Sequence, residues 1–462
     1  MSILTQDIKK TLTYLFYLTL LIAPGILLTL IRHELGIFYF ELSLLLLFIL
    51  LGFFRPIYFL YILIIFSIFS PLIRSLSFLE IGSTFLTISG FGWSLFLISL
   101  IFITIFNKKI YFPKNWKPVI FFLIWIIVNW GLYSFNFRGL KDILWYSAPI
   151  LAMFGSFQLL YKYDHEGLPI RLKTLEKIFF FSIGIYVITY LAAFVFGLIH
   201  YTSYGPRGQF LNDARGIPLF FLIILAVSLA NWRYGPSRSM GMALSFLSIG
   251  FIFFNLARIA MFSSVLLLFT HKLNPRRKWQ ILVSTGLVII IIFLLVQNIP
   301  LLRKRFFLFE NWNLEQGLKG VKLSGRDFLW STTLKSALKS PYLGQGVGSA
   351  RKVVAQALSE EKGVDIQEYH PHNDYLQIFH DLGGLGLILF LFFWGAIFFH
   401  TWREWEFPKN IQSAKWNMLA SLCIIGLFIS ALTDNSFHYP FLTVPVGIII
   451  ACANFCSQNE TL

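Results

Sequence analysis

Residues Ile281–Val296 read ILVSTGLVIIIIFLLV and contain no charged side chain. Leu12–Ile31 and Phe85–Phe106 are two further runs of the same kind. A helix needs about 20 apolar residues to cross the roughly 30 Å of hydrocarbon in a bilayer, and these runs reach or approach that length. Backbone polar groups inside lipid must be satisfied within the protein, which favours helices. The sequence therefore predicts an all-α, polytopic helical membrane protein.

The composition of the whole chain agrees with this interpretation. Hydrophobic residues make up 57% of the 462 residues and charged residues only 13%, whereas soluble domains carry about 25% charge. The mean hydropathy is +0.71. These values exclude an ordinary soluble protein. The formal net charge of +16 comes without a basic amphipathic stripe or an RNA-binding signature, so we expect no nucleic-acid partner.

The apolar runs predict about 12 to 14 transmembrane helices. They lie near residues 12–31, 37–53, 56–73, 85–106, 118–135, 143–161, 178–199, 216–231, 240–254, 258–270, 280–297, 384–401, 416–433 and 440–456. One long polar insert interrupts them. We therefore predict an N-terminal transmembrane bundle at 1–297, an inserted loop subdomain at 298–383 and C-terminal transmembrane helices at 384–462.

Basic side chains occupy alternate connections between the predicted spans. The clusters lie at residues 108–117, 162–177, 233–238, 271–278 and 403–415. Lysine and arginine in short loops remain on the cytoplasmic side of a membrane. This pattern predicts a cytoplasmic N-terminus and places the long loop at 298–383 on the opposite side.

Several arginines lie at the outer boundary of the predicted bundle, where the topology does not require them. They are Arg207, Arg215, Arg258, Arg303, Arg305 and Arg326. A guanidinium group makes bidentate, charge-assisted hydrogen bonds to phosphate. Each of these side chains alone could instead extend to the lipid headgroups. As a set they favour a site for an anionic lipid or a pyrophosphate.

Two local patterns stand out inside the loop. Ser324-Gly-Arg-Asp327 has a serine followed by an acid three positions on, which predicts a capped helix start. The spacing that follows predicts an amphipathic helix that ends near Pro341. Leu343-Gly-Gln-Gly-Val-Gly348 predicts a tight turn whose backbone closely approaches a ligand.

The loop closes with the polar stretch Tyr369-His-Pro-His-Asn-Asp-Tyr375. Asn373 or Asp374 is suited to cap the following helix. Three roles remain open for His372: a general base near neutral pH, a metal ligand beside His370, or a purely structural hydrogen-bonding role. The further candidate metal ligands are Asp374, His380 and Asp381, but their spacing matches no regular zinc motif.

Three motifs carry a family resemblance. Asn255-Leu-Ala-Arg258 opens a predicted span, and Gly325-Arg326-x-x-x-Trp330 is followed by Pro341-x-Leu-Gly-x-Gly346. His372-Asn373-x-x-Leu376 precedes Gly383-Gly-Leu-Gly-Leu in the next span. In this order and spacing, from about Arg215 onward, the chain resembles the O-antigen ligase and polymerase superfamily of bacterial lipid-linked glycan transferases, and is ligase-like.

The resemblance implies a GT-C-like membrane glycosyltransferase in the bacterial inner membrane, with its active site facing the periplasm. The donor would be a glycan on undecaprenyl pyrophosphate, and no cofactor or metal is expected. The resemblance makes His372 and Arg326 the expected catalytic residues. The expected pyrophosphate-binding residues are Arg215, Arg258, Arg303 and Arg305, with His370, Asn373 and Arg207 in support. Asp381 stands where many relatives have glutamate, so we assign it no role.

The leading expectation is ligation of O-antigen to the lipid A core. The alternative is an O-antigen or exopolysaccharide polymerase, whose acceptor is a growing glycan. Transfer to protein is less expected, because the chain shows no long C-terminal extension. A transporter is disfavoured, because such proteins place ionisable residues near the bilayer midplane, whereas the predicted spans are almost free of them.

Overall fold

The computed structural model describes the chain from residue 56 to residue 459 with gaps. The described ranges are 56–69, 77–81, 84–87, 93, 96–98, 100–101, 110–114, 116–133, 137–165, 172–197, 199–202, 205–208, 216–272, 278–306 and 324–459. The predicted spans at 12–31 and 37–53 lie outside these residues.

The described chain is predominantly helical, which confirms the predicted fold class. The helices are α1 (Pro56–Phe69), α2 (Lys117–Leu132), α3 (Phe137–His165), α4 (Leu172–Val195), α5 (Gly216–Tyr234), α6 (Arg238–Phe254), α7 (Arg258–Thr270), α8 (Lys278–Asn298), α9 (Pro300–Phe306), α10 (Arg326–Ala337), α11 (Ser349–Lys362), α12 (Asp374–Glu406), α13 (Ile411–Ala431) and α14 (Pro440–Gln458). A short 3-10 helix, Ser436–His438, precedes α14.

Two short antiparallel hairpins accompany the helices. Strand β1 (Ser77–Ile81) pairs with β2 (Thr84–Thr87), and β3 (Ile199–Thr202) pairs with β4 (Gly205–Gly208). The predicted span at 85–106 is therefore wrong at its start. Gly82 and Ser83 separate two segments rich in β-branched and aromatic residues, and this composition favours a hairpin over a helix.

The chain divides into two compact units. The first comprises Met1–Ile62 and Ser75–Ser99, and of its residues the structure describes the β1–β2 hairpin and a few helical positions. The second comprises Leu63–Arg74 and Leu100–Leu462. Within the second unit, α14 packs on α3, α5 on α6, and α13 on both α5 and α12. Every residue of α14 from Pro440 to Ser457 is buried.

Six described helices are long and apolar enough to cross a membrane, so the chain is a multi-pass membrane protein. These are Gly139–Asp164, Leu172–Ala192, Gly216–Tyr234, Asp374–Glu406, Ile411–Ala431 and Pro440–Gln458. Four shorter apolar helices, Lys117–Leu132, Arg238–Phe254, Arg258–Thr270 and Ile289–Asn298, accompany them. Each predicted span from 118–135 onward overlaps a described helix, although 178–199 runs past the end of α4 at Val195 to the first residue of β3. The three-part domain division stays a prediction.

Helix α12 is interrupted near its start by Gly383, whose backbone is non-helical at φ 71° and ψ −176°. The glycine loop, residues 343–348, packs against this break. The Gln345 N–H donates to the His380 carbonyl at 2.9 Å, and the Gly346 N–H donates to the Asp381 carbonyl at 3.0 Å. A Cβ atom added at Gly344 would lie 2.5 Å from the Gly383 nitrogen. The close backbone approach predicted for this loop is observed, and it is made to the backbone of α12; contact of the loop with a ligand stays a prediction.

Candidate functional site

His372 has a left-handed backbone, with φ 55°. Its N–H donates to Asn435 Oδ1 at 2.9 Å, and its carbonyl accepts from Trp330 Nε1 at 3.4 Å. The next residue, Asn373, caps α12 by accepting from the Leu376 N–H at 3.0 Å. Helix α12 therefore begins directly after His372, and the predicted cap is confirmed at Asn373. A left-handed non-glycine residue stores strain that its surroundings must hold in place, and these three hydrogen bonds do so.

The imidazole of His372 faces the carboxylate of Asp434, which follows the C-terminal end of α13. His372 Nδ1 lies 3.3 Å from Asp434 Oδ1, and the two side chains are 14% and 4% exposed. The Tyr439 hydroxyl donates to the same oxygen at 3.4 Å. A carboxylate beside Nδ1 favours the tautomer that carries its proton there. In the neutral ring, Nε2 is then the basic nitrogen.

Asp434 also links His372 to the predicted arginine Arg326. Burial alone would raise the pKa of Asp434, but the hydrogen bond from His372, the charge of that ring and the charge of Arg326 hold the pKa below its ordinary value. Trp330, one turn along the helix that begins at Arg326, donates to the His372 carbonyl, so the start of this helix lies beside the ring and the carboxylate. Asp434 is ionised at neutral pH.

Arg326 is the first residue of α10, and the start of this helix differs from the prediction. The N-cap is Gly325, with φ 77° and no side-chain capping bond, whereas the sequence predicts a cap by the Ser324 hydroxyl. Ser324 itself is left-handed, with φ 59°. Its Oγ instead accepts from the guanidinium of Arg258 at 3.2 Å. The capping-box prediction is wrong because the serine is turned away from the helix and toward a second arginine.

Arg258 reaches this site from the first turn of α7. The preceding Leu256 is left-handed, with φ 51°, and it forms part of the sharp turn between α6 and α7. The Arg258 guanidinium also lies over the Phe306 ring, 6.0 Å from its centroid. Arg258 thus contacts the segment that leads into Arg326, and the structure brings three of the predicted residues together: His372, Arg326 and Arg258.

The remaining predicted arginines differ in what is described of them. Arg303 lies on α9, and its guanidinium donates to the Gln297 carbonyl at 2.7 Å and to Gln297 Oε1 at 3.0 Å. It therefore turns back toward the end of α8. Arg207 lies on β4 and Arg305 on α9, but their side chains are outside the described part of the structure, and so is all of Arg215.

A second histidine–aspartate pair lies next to the first. The segment that provides the histidine in one pair provides the aspartate in the other. His438 Nδ1 is 3.0 Å from Asp374 Oδ1, and both side chains are almost fully buried. Asp374 also accepts from the Phe437 N–H at 3.0 Å. Each of the two segments thus contributes one histidine and one aspartate. His372 and Asp374 come from the start of α12, and Asp434 and His438 come from the connection before α14.

Asn435 and Gln377 join the two pairs. Asn435 Nδ2 donates to Gln377 Oε1 at 2.9 Å, while its Oδ1 accepts from the His372 N–H. Gln377 Nε2 lies 3.0 Å from His438 Nε2. His370, predicted to support the site, lies with its Nδ1 3.4 Å from Gln377 Oε1 and its ring edge-to-face on His438. Desolvation, followed by the charges of Arg351 and His438, lowers the pKa of His370 well below its ordinary value.

Arg351 anchors the buried side of this network. Only 1% of its side chain is exposed, and it pairs with Asp142 at 2.6 Å and with Glu368 at 2.8 Å. His438 Nε2 lies 4.0 Å from the same Asp142 carboxylate. A guanidinium can satisfy two carboxylates through its fixed fork of donors. The ion pairs tie α3, α11 and the segment before His370 together beneath His372.

Five residues of this network are not predicted by the sequence motifs: Asp434, Asn435, His438, Arg351 and Asp142. The signal for the first three was present, because Thr433-Asp-Asn-Ser-Phe-His438 is a polar stretch between two apolar spans. Asp142 and Arg351 are separated by 209 positions. Their pairing depends on the tertiary structure, which no local pattern reveals.

His380 and Asp381 belong to a separate structural cluster. Asp381 accepts from the N–H groups of Gly348 and Ala350 at 3.0 and 2.7 Å, so it caps the start of α11. His380 Nε2 lies 3.0 Å from Ser336 Oγ. Within the described residues, no three histidine, cysteine, aspartate or glutamate side chains are grouped as a metal site. His370 and His372 are directed to different partners, Gln377 and Asp434.

Two comparisons bear on the family of this chain. Residues 243–391 match the family model described as O-Antigen ligase, and this range contains Arg258, Arg326 and His372. The chain is also 22% identical over 380 residues, 80% of its length, to the ComP-specific O-oligosaccharyltransferase of Acinetobacter baylyi. It spans 62% of the length of that relative. The resemblance to the O-antigen ligase superfamily is thereby confirmed.

Proposed function

From this resemblance and the geometry at His372, we propose that the protein is a membrane glycosyltransferase that moves a glycan from undecaprenyl pyrophosphate to a hydroxyl acceptor. One observation carries the proposal. The imidazole of His372 lies on the Asp434 carboxylate, and its carbonyl accepts from Trp330 on the helix that begins at Arg326. A positioned base beside guanidinium groups is what transfer from a lipid pyrophosphate requires.

The reaction assigns a task to each group. The acceptor oxygen attacks the anomeric carbon of the glycan, and its proton passes to Nε2 of His372. The bond between the anomeric carbon and the pyrophosphate oxygen breaks, and the electron pair leaves with the pyrophosphate. Asp434 orients the ring and stabilises the imidazolium that forms.

The leaving pyrophosphate carries the developing negative charge of this step. Arg326 and Arg258 stabilise that charge by charge-assisted hydrogen bonds. Arg215, Arg303 and Arg305 are proposed to bind the same pyrophosphate, and Arg207 supports them. The present side-chain direction of Arg303, toward Gln297, means that this residue must rotate to do so.

The proposed location follows from the charge pattern and the resemblance. The basic clusters assign the short loops to the cytoplasm, so the segment that contains Arg326 and His372 faces the periplasm of a bacterial inner membrane. The donor then presents its pyrophosphate at the outer surface of that membrane, with its polyprenyl tail among the helices.

The first candidate acceptor is the lipid A core, as in O-antigen ligation, because the matching family model is described as O-Antigen ligase. A growing glycan, as in polymerisation, uses the same donor and the same base. A protein hydroxyl is the second candidate, and a specific observation favours it. The relative that matches over 80% of this chain is a ComP-specific O-oligosaccharyltransferase.

The test is transfer by the purified full-length protein reconstituted in lipid vesicles. Undecaprenyl-pyrophosphate-linked glycan is the donor, and lipid A core or a peptide with serine residues is added separately. Glycosylated core lipid supports ligation, longer lipid-linked chains support polymerisation, and glycopeptide supports protein modification. Absence of all three products with an intact donor would contradict the proposed activity.

Three variants test the assigned roles within this assay. We expect His372→Ala to lower the rate by about 10²–10⁴-fold, the usual contribution of a positioned base. Arg326→Lys keeps a positive charge but loses the guanidinium's fork of hydrogen-bond donors. We therefore expect a lower rate of transfer from the lipid-linked glycan. Lys352→Ala is the control, since this exposed lysine on α11 lies outside the proposed machinery. Full activity of His372→Ala would refute the base.

A further inference from the structure

A cavity of about 680 Å³ lies at the C-terminal end of α12, far from His372. Helix α12 has 33 residues, and at about 1.5 Å per residue Arg403 lies about 40 Å along it from Asp374. This separation is close to the thickness of a bilayer with its headgroups. The cavity therefore faces the membrane surface opposite the candidate site and takes no part in the reaction proposed there.

Cationic side chains from two segments line this cavity. Lys114 comes from the segment before α2, and Arg403 and Lys409 come from the end of α12 and the turn after it. His400 and Glu404 complete the polar lining. With Lys114, Arg403 and Lys409 positive and Glu404 negative, the fixed charges favour an anion.

The segment that carries Lys114 is held by contacts with the bundle. The Lys114 N–H donates to Asn454 Oδ1 of α14 at 3.2 Å, and the Tyr111 N–H donates to Gln158 Oε1 of α3 at 3.0 Å. Lys114 Nζ lies 3.6 Å from Glu404, and His400 Nδ1 lies 4.0 Å from the same carboxylate. The cavity thus lies between this segment, which is held against α3 and α14, and the end of α12.

The remaining wall of the cavity is apolar and open. Phe399 and Phe407 line it and are 71% and 58% exposed. Helix α12 exposes Ile388 and Phe392 along its length as well, as expected for a helix that faces lipid. A site for a small soluble anion has no need of such a wall, whereas a lipid places acyl chains beside apolar side chains and its phosphate beside cations.

We propose that this cavity binds the phosphate headgroup of an anionic glycerophospholipid in the membrane leaflet opposite the candidate site. Basic pockets at the cytoplasmic ends of membrane helices bind anionic headgroups by this chemistry. Arg403 and Lys409 bind the phosphate, Lys114 closes the site from the side of α3 and α14, and Phe399 and Phe407 contact the acyl chains. The site is separate from the proposed transferase function.

The experiment measures lipid binding to the purified full chain in a zwitterionic detergent. Dioleoylphosphatidylglycerol, dioleoylphosphatidylcholine and inorganic phosphate are titrated separately, and the amount of bound lipid is measured by native mass spectrometry. We expect the phosphatidylglycerol to bind more tightly than the phosphatidylcholine by about fivefold for each cation that contacts its headgroup. Inorganic phosphate at the same concentration should not displace it.

Variants identify the site. Arg403→Gln should lower the preference for phosphatidylglycerol by about fivefold, and Arg403→Gln with Lys409→Gln should remove it. Arg238→Gln is the matched control, since Arg238 is also exposed at a helix end and should keep the preference. The melting temperature of each variant without added lipid shows whether it is folded, and the single Arg403→Gln variant remains informative if the double variant is not.

Three outcomes would overturn the proposal. Equal binding of the two lipids would remove the headgroup preference. Unchanged preference in folded Arg403→Gln would place the site elsewhere. Displacement of the lipid by inorganic phosphate at equal concentration would identify a site for a soluble anion. Transfer activity serves as a separate measurement, because neither Arg403 nor Lys409 belongs to the proposed transferase site.

Discussion

Two histidine–aspartate pairs lie side by side between α12 and α14, and they differ in exposure. His372 pairs with Asp434, and the ring remains 14% exposed. His438 pairs with Asp374, and these side chains are only 2% and 0% exposed. Each pair has an arginine nearby, Arg326 for the first and Arg351 for the second. The same residue types therefore occur twice in almost the same place.

The difference between the pairs lies in what surrounds them. The ring of His438 contacts Asp374, Gln377 and the Asp142 carboxylate, so both of its nitrogens face groups of the protein itself. The partly exposed ring of His372 has its Nδ1 on Asp434. A buried pair is costly to break, whereas a partly exposed pair can exchange a proton with a substrate. We interpret the His372–Asp434 pair as the one that takes part in the reaction and the His438–Asp374 pair as its structural support.

The largest expected effect is on the exposed pair. His372→Gln keeps a donor for Asp434 but has no basic nitrogen, so we expect transfer to fall by about 10²–10⁴-fold. The melting temperature should change little, because the site is partly exposed. The rate is measured with lipid-linked donor in vesicles. A large drop in melting temperature together with the loss of rate would instead make His372 structural.

Arg351 on the buried side should give the largest loss of stability. Arg351→Met leaves Asp142 buried without its guanidinium partner, which costs about 3–5 kcal/mol. Thermal unfolding of the detergent-solubilised protein measures the change. The adjacent Lys352→Met is the matched control, because that side chain is exposed and its loss should cost little. Equal effects of the two variants would contradict the structural role of the buried network.

The same substitution made in the buried pair sharpens the comparison. We expect His438→Gln to lower the free energy of unfolding by about 1–3 kcal/mol, since Asp374 and Gln377 lose a well-placed partner. Its rate, measured below its own melting temperature, should fall less than that of His372→Gln. If His438→Gln abolished transfer while the protein stayed folded and stable, the two pairs would have to be assigned the reverse roles.

The smallest expected effect is a pH dependence of stability. His370 has a folded-state pKa well below the ordinary 6.5, because its ring is desolvated and lies near Arg351 and His438. Below about pH 6.5, His370 binds a proton in the unfolded chain but stays neutral in the folded protein until the pH is much lower. The stabilisation is therefore complete above that pH and is lost as the pH falls, by at most about 1.4 kcal/mol per pH unit.

His370→Gln removes this proton and provides the check. The difference in melting temperature between the variant and the unmodified protein is measured from pH 8 to pH 5. We expect it to be constant above about pH 7 and to move in favour of the variant below about pH 6.5. A difference that does not vary with pH would show that His370 does not resist protonation in the folded protein.

Much of the fold was predictable from the sequence, because apolar length and basic clusters act locally. The spans from 118–135 onward and the Asn373 cap follow from such patterns. The predicted Ser324 cap is wrong, because its hydroxyl accepts from Arg258 and makes no capping bond to the backbone of α10. Arg258 is close in space but 66 positions away in the sequence. Asp434 could not be assigned to His372 for the same reason: 62 positions separate them, and only helix packing brings them together.

The contact between Gly344 and Gly383 has a consequence for how this chain can vary. A Cβ atom at either position would lie 2.5 Å from the backbone nitrogen of the other, and both residues have positive φ values. Because the obstacle is main chain in each case, trimming a neighbouring side chain gives no relief. A selection for revertants of a substitution at one glycine should therefore return the original residue, and suppressors at the other should not appear.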